Sequence, residues 1–231
     1  MLYFISFYPC KKLSYMVKKI DIYHRLFICI AKAHNIIIKD ILGEEFQMKA
    51  IEQMMEEHRN IKRILKITRI FCIQILNGAP VDDEAFRKII DFVRNYADRH
   101  HHSKEEDILF KKMSDELGEA VAKGPIMGMF AEHDLGRLFI SNLEQALDKV
   151  KEGDQDARVD VIANAIAYTD LLHRHIDKED TAIYTFAQKR LSREALAEVE
   201  EKCSTIEISG REKKIQDKYL ALLEELERSV G

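Results

Sequence analysis

His101-His102-Ser103-Lys104-Glu105-Glu106-Asp107-Ile108-Leu109-Phe110 is the stretch around which the chain is organised. It has an echo in His175-Ile176-Asp177-Lys178-Glu179-Asp180, which leads into Ala182-Ile183-Tyr184. Both blocks read His-x-x-Lys-Glu before an apolar end. Residues four apart on an α-helix lie on one face, a turn from each other. Each block therefore aims an imidazole and a carboxylate in one direction. These are ligand types that iron, manganese or zinc accept.

The echo extends upstream. Glu57-His58 precedes the first block by 43 residues and Glu132-His133 precedes the second by 42. Basic and apolar residues follow each pair: Lys62, Arg63 and Leu65 in one case, Arg137, Leu138 and Ile140 in the other. One unit thus occurs twice, a helix with one His followed by a helix with His-x-x-x-Glu. Two such αα-hairpins make a four-helix bundle. Its converging set is His58, His101, Glu105, His133, His175 and Glu179.

Composition agrees with an all-α fold: three prolines, nine glycines and no sustained apolar alternation in 231 residues. That length suits one domain with appendages or two small domains. The net charge of −4 is spread along the chain, which gives no basic face for nucleic acid. Cys10, Cys29, Cys72 and Cys203 are scattered and form no Cys-x-x-Cys, so reduced thiols and a cytoplasmic location are expected.

Residues 1–47 differ from the rest. Apolar Met1 to Tyr8 precede Lys11, Lys12, Lys18 and Lys19, the reverse of a secretory signal. The apolar runs are too short to span a bilayer, so no transmembrane segment is expected. The stretch reads as a loosely docked or disordered extension, or as residues ahead of a natural start at Met48. From there, Ile51, Met55, His58, Ile61, Leu65, Thr68, Cys72 and Leu76 form one helical stripe. Asn77-Gly78-Ala79-Pro80 ends it, and Asp82 and Asp83 suit the next N-terminus. Phe86, Ile90, Val93, Ala97, His101, Glu105 and Ile108 form the second stripe, ending at Gly118. Pro125 is expected to start the third helix, with Met129, His133, Gly136, Ile140, Leu143 and Leu147 facing inward. The fourth stripe is Val161, Ala165, Tyr168, Leu172, His175, Glu179, Ala182 and Phe186. The bundle spans residues 48–190. Two further helices, over residues 191–231, dock on it or on a partner chain.

Every proposed ligand falls on an apolar stripe. A buried, unpaired carboxylate costs several kcal/mol, so Glu105 and Glu179 need a compensating cation. Two carboxylates and four imidazoles at one level call for metal. His100, His102 and His173 lie off the stripe and are expected to be solvated, so His102→Ala should leave metal binding intact. Glu106 and Asp180 are the carboxylates that would serve if the register slipped by one.

The set of single His, His-x-x-x-Glu, single His, His-x-x-x-Glu resembles the hemerythrin-like, or HHE cation-binding, domain over about residues 48–190. The resemblance implies an up-down four-helix bundle around two iron ions joined by an oxo or hydroxo bridge. His58, His101, His133 and His175 would be terminal ligands, with Glu105 and Glu179 bridging. Oxygen-carrying hemerythrins have a second His one turn after the third-helix His, where this chain has Arg137. The ligand count is closer to iron-centre repair (RIC) di-iron proteins. The resemblance implies a small ligand (O2, NO or peroxide) and a role in stress response, iron-centre maintenance or sensing. The alternative is a non-catalytic iron- or oxygen-responsive module acting through a partner. Manganese or zinc, a redox partner and a homodimer stay open. Gly136 serves either ligand access or plain helix packing.

Overall fold

The computed structural model describes residues 48–208 and 210–230. The extension expected over residues 1–47 lies outside them. Among the described residues the chain is all-helical, with no strand, and no helix is long and apolar enough to cross a membrane.

The first arm is α1, Lys49–Leu76. Gly78, at φ +92°, takes the left-handed conformation that lets the chain turn back. The Asp82 carboxylate then accepts the Ala85 N–H at 3.0 Å and caps α2, Asp83–Phe92. The second arm continues through π-helical segments Val93–His102 and Glu105–Leu109 into α3, Phe110–Leu117. Gly118, at φ +87°, ends it. The third arm begins at α4, Glu119–Val121, passes through a π segment, Ala122–Ile126, and becomes α5, Met127–Lys151. Pro125 therefore lies inside the arm instead of starting it. The wide π turn, with bonds from i to i+5, accommodates a residue that has no N–H to give. The fourth arm is α6, Ala157–Lys178, a π segment, Glu179–Ile183, and α7, Tyr184–Arg190. Two more helices follow, α8 (Arg193–Ile208) and α9 (Gly210–Val230). Helix α6 packs on both α1 and α5, and short links set consecutive arms antiparallel.

The apolar core is in two parts. One holds Ile61 to Ile75, Ala85 to Ala97, Ile140 to Leu147 and Val161 to Ile176, joined by Tyr219, Leu223 and Leu226 of α9. The other holds Met48 to Met54, Ile108 to Met113, Ile126, Met129 and Ile183 to Ala187, joined by Leu196, Val199 and Cys203 of α8. All four arms break at the same level between the two parts: at His58, at His101 and Glu105, at His133, and at His175 and Glu179. A buried polar layer thus crosses the middle of the bundle.

The expected stripes are buried along α2 and α5, and Thr68 bonds the Ile64 carbonyl at 2.8 Å. Two places differ. Leu76 is 70% exposed, because the helix outruns the core at its last turn. After Glu179 the π turn shifts the register by one residue. Ile183, Tyr184 and Ala187 face inward, and Ala182 and Phe186 face out. Leu143→Ala should therefore cost about 2–5 kcal/mol in a denaturant titration, whereas Leu76→Ala should change stability by less than about 0.5 kcal/mol.

Candidate metal centre

Within the polar layer, donor atoms gather in two groups. His58, His101, Glu105 and Glu179 bring theirs within 4.8 Å of one another, and His102, His133 and His175 do the same. In the first group the His58 and His101 Nε2 atoms are 2.8 Å apart. In the second the His133 and His175 Nε2 atoms are also 2.8 Å apart. Two nitrogens at about 2.1 Å from one cation, at right angles, would be about 3 Å apart. Glu179 reaches both groups, with Oε2 3.3 Å from His58 Nε2 and Oε1 3.0 Å from His175 Nε2. Glu105 Oε2 is 3.6 Å from the Nε2 atoms of both His101 and His133. The six residues expected from the sequence thus meet in one layer, with the carboxylates between the two imidazole pairs.

Each imidazole is oriented by a carboxylate on its outer nitrogen. The Nδ1–H groups of His58, His101, His133 and His175 donate to Asp180 (2.7 Å), Glu57 (2.8 Å), Glu106 (2.6 Å) and Glu132 (2.9 Å). Such a bond fixes the tautomer and leaves the Nε2 lone pair pointing inward, as a metal ligand requires. Glu106 and Asp180, the carboxylates of the slipped register, stand here as hydrogen-bond partners of His133 and His58. The Tyr184 hydroxyl donates to Glu105 Oε1 at 2.5 Å, and its ring stacks on His58.

His102 departs from the sequence expectation. It is buried, 6% exposed, and stacked on His133 with ring centroids 3.8 Å apart. Its Nδ1–H donates to Asp98 at 3.2 Å. His101 and His102 both face inward because they end the π segment Val93–His102, where strict α spacing fails. His100 is buried as well, while His173 is exposed as expected. The signal that could have exposed His102 was the adjacent His-His pair itself, which a strict four-residue period discards. His102 stands on the side of the third-helix position held by Arg137. The Arg137 guanidinium turns outward to Asp98, Glu106 and Asp134.

The protein alone does not satisfy this layer. Glu105 Oε2 and both Glu179 oxygens are buried with no hydrogen-bond partner. Buried carboxylate oxygens without a donor are costly, and they face inward-directed nitrogens. A cation bound among them would satisfy all three. The donor set fits metal.

Without metal, protons take the cation's part. Burial would lower His58 and His133, but Asp180 and Glu179 raise His58 to about 9, and Glu106 and Glu179 raise His133 to about 10. Burial together with the neighbouring His58 pushes His101 well down. Burial with His133 nearby lowers His102 to about 4. Glu105 is driven well up by burial and the Glu179 charge, whereas His175, His133 and His58 outweigh burial and hold Glu179 well down. Raised imidazole values mean that the metal-free fold gains from these protons below pH 6.5 and loses that gain as pH rises to about 9–10. Calorimetry of the metal-free protein should show the melting temperature falling across that window, by about 2–4 °C for each kcal/mol lost. Metal uptake near pH 7 should release protons.

Sequence comparisons point the same way. The hemerythrin HHE cation binding domain profile matches residues 49–187. Uncharacterized proteins Rv1995 of Mycobacterium tuberculosis and Mb2018 of Mycobacterium bovis are each 26% identical over 143 residues, 61% of this chain and 54% of theirs. The chain spans about half the length of these relatives. No solved structure matches it. The match over most of the bundle, on a layer of inward-facing histidines and glutamates that can hold a metal, shows that the chain belongs to the hemerythrin HHE cation-binding family.

Proposed function

We propose that the chain is a non-haem di-iron protein that binds or reduces a small ligand, O2, NO or peroxide. His58 and His101 would hold one ion and His102, His133 and His175 the other, with Glu105 and Glu179 shared. The observation that carries this reading is the trio of orphaned carboxylate oxygens facing the inward imidazole nitrogens. Iron held there by these residues would supply one-electron chemistry. On this reading one side has two imidazoles and the other three. Buried, unpaired Cys72 and Cys203 suit a reducing cytosol.

Access supports a small ligand. A cavity of about 280 Å³ is lined by His102, His133, Gly136, Arg137, Tyr168 and Leu172. The buried Tyr168 hydroxyl has no partner and is available to donate to a bound ligand. A Cβ on Gly136 would meet Leu172 and Tyr168 at 3.5 Å, an ordinary contact, so packing does not demand glycine there. That favours ligand access over simple helix packing as the reason for Gly136. The second reading, a regulatory module, is favoured by the way α8 and α9 reach Glu57, the partner of His101.

Stopped-flow mixing of anaerobic ferrous protein with O2 or NO tests the proposal. Rapid formation of a ligated species is expected, and inert metal would refute ligand binding. Gly136→Ala should fold and gain up to about 1 kcal/mol of helix propensity. Gly136→Leu should keep both metals and slow ligand binding about tenfold or more. Elemental analysis should show His102→Ala retaining close to one tightly held ion of two. Glu105→Ala with Glu179→Ala should lose both.

A further inference from the structure

Lys104 takes no part in the proposed centre, yet it is 1% exposed. A buried ammonium must be paired. Its Nζ reaches Glu57 Oε1 and Glu207 Oε1 and lies 3.3 Å from His100 Nε2. Glu57 is fully buried and shared: Oε2 accepts from His101 Nδ1, while Oε1 faces Lys104 and, at 3.1 Å, His100 Nε2. Glu207 sits in the last turn of α8. Gln216 of α9 donates to Glu207 Oε2 at 2.8 Å and lies 3.4 Å from Glu57 Oε1. Glu57, His100 and Glu207 resemble a third metal cluster, but the Lys104 ammonium already stands between the two carboxylates.

The other four imidazole–carboxylate pairs are anchored inside the bundle. Asp180 is 3.5 Å from Lys62, Glu106 and Asp98 both meet Arg137, and Glu132 meets Lys178. Among the described residues, only the pair at His101 is anchored by residues beyond the span matched to the family, Glu207 and Gln216. Partners that orient a ligating histidine commonly set metal affinity by 10–100-fold.

We propose that α8 and α9 form a working part of the centre: Glu207 and Gln216, acting through Lys104 and Glu57, position His101, so that metal occupancy on the His58–His101 side and docking of these two helices are coupled. The inference rests on the di-iron reading above. Coupling between two equilibria is reciprocal. Iron on that side therefore tightens the helices, and loosening them weakens that iron. Lys104, Glu207 and Gln216 are positioning residues that touch no metal themselves.

The test uses the full chain and Fe(II), titrated without oxygen against a competing chromogenic chelator. In Glu207→Ala with Gln216→Ala, one iron equivalent should weaken about 10–100-fold while the other holds. Glu207→Gln, which keeps an acceptor oxygen for Lys104, should recover most of the loss. Glu227→Ala is the control: it removes only the half-exposed Arg63–Glu227 pair of α9, a weak tether, and leaves the network intact, so iron should weaken by less than about fivefold. Hydrogen exchange across Gly210–Val230 should slow on iron loading in the parent chain and respond less in the double variant. Unchanged iron affinity in the double variant, or an equal loss in Glu227→Ala, overturns the coupling. A parent chain that takes up no iron removes the di-iron reading and the coupling together. Two irons bound in the parent with no effect of the double variant removes the coupling alone.

Discussion

Two glutamates with three buried oxygens that no hydrogen bond reaches, set in the middle of an apolar bundle, are the constraint on which the structure depends. Glu105 and Glu179 are fully buried, and neither can be left as a bare carboxylate there without a cost of several kcal/mol. The core is split in two to make room for them. Five imidazoles surround them, each held from behind by a carboxylate and facing the cavity with its other nitrogen. In the metal-free protein the charge is met by protons on His58 and His133. Those are the protons an incoming cation would displace.

The fold class was legible because the four stripes keep an α period over long runs and end at Gly, Pro and Asp in the usual places. That the six expected residues meet in one buried layer was legible for the same reason, since each stands on a stripe and the unit occurs twice. The misses cluster where the period changes. His102 sits one position off the α stripe and faces inward at the end of a π segment. Ala182 and Phe186 face outward because a π segment intervenes after Glu179. Pro125 lies within a third such segment. A π turn carries no residue signature that periodicity can detect, and such turns collect at functional sites.

Lys104 was hidden for a different reason. In the sequence it belongs to a charged run, Lys104 to Asp107, and nothing local marks it as buried. Its partners Glu57 and Glu207 lie 47 and 103 residues away. The burial arises from tertiary packing of a helix pair that carries no metal-ligand motif. The carboxylates behind the histidines were partly visible, since Glu57 and Glu132 precede His58 and His133 in the repeat. What could not be seen is that each serves a histidine on the next arm instead of its neighbour in sequence.

The Arg137 guanidinium bonds both Asp98 and Glu106, and these two carboxylates hold the outer nitrogens of His102 and His133. One surface cation thus governs the orientation of two rings at the heart of the bundle. Its contacts are open to dissolved ions, which weaken attraction between exposed charges over about 10 Å at 0.1 M salt. Ionic strength would thereby be felt, through a single side chain at the boundary, by two imidazoles that are themselves buried.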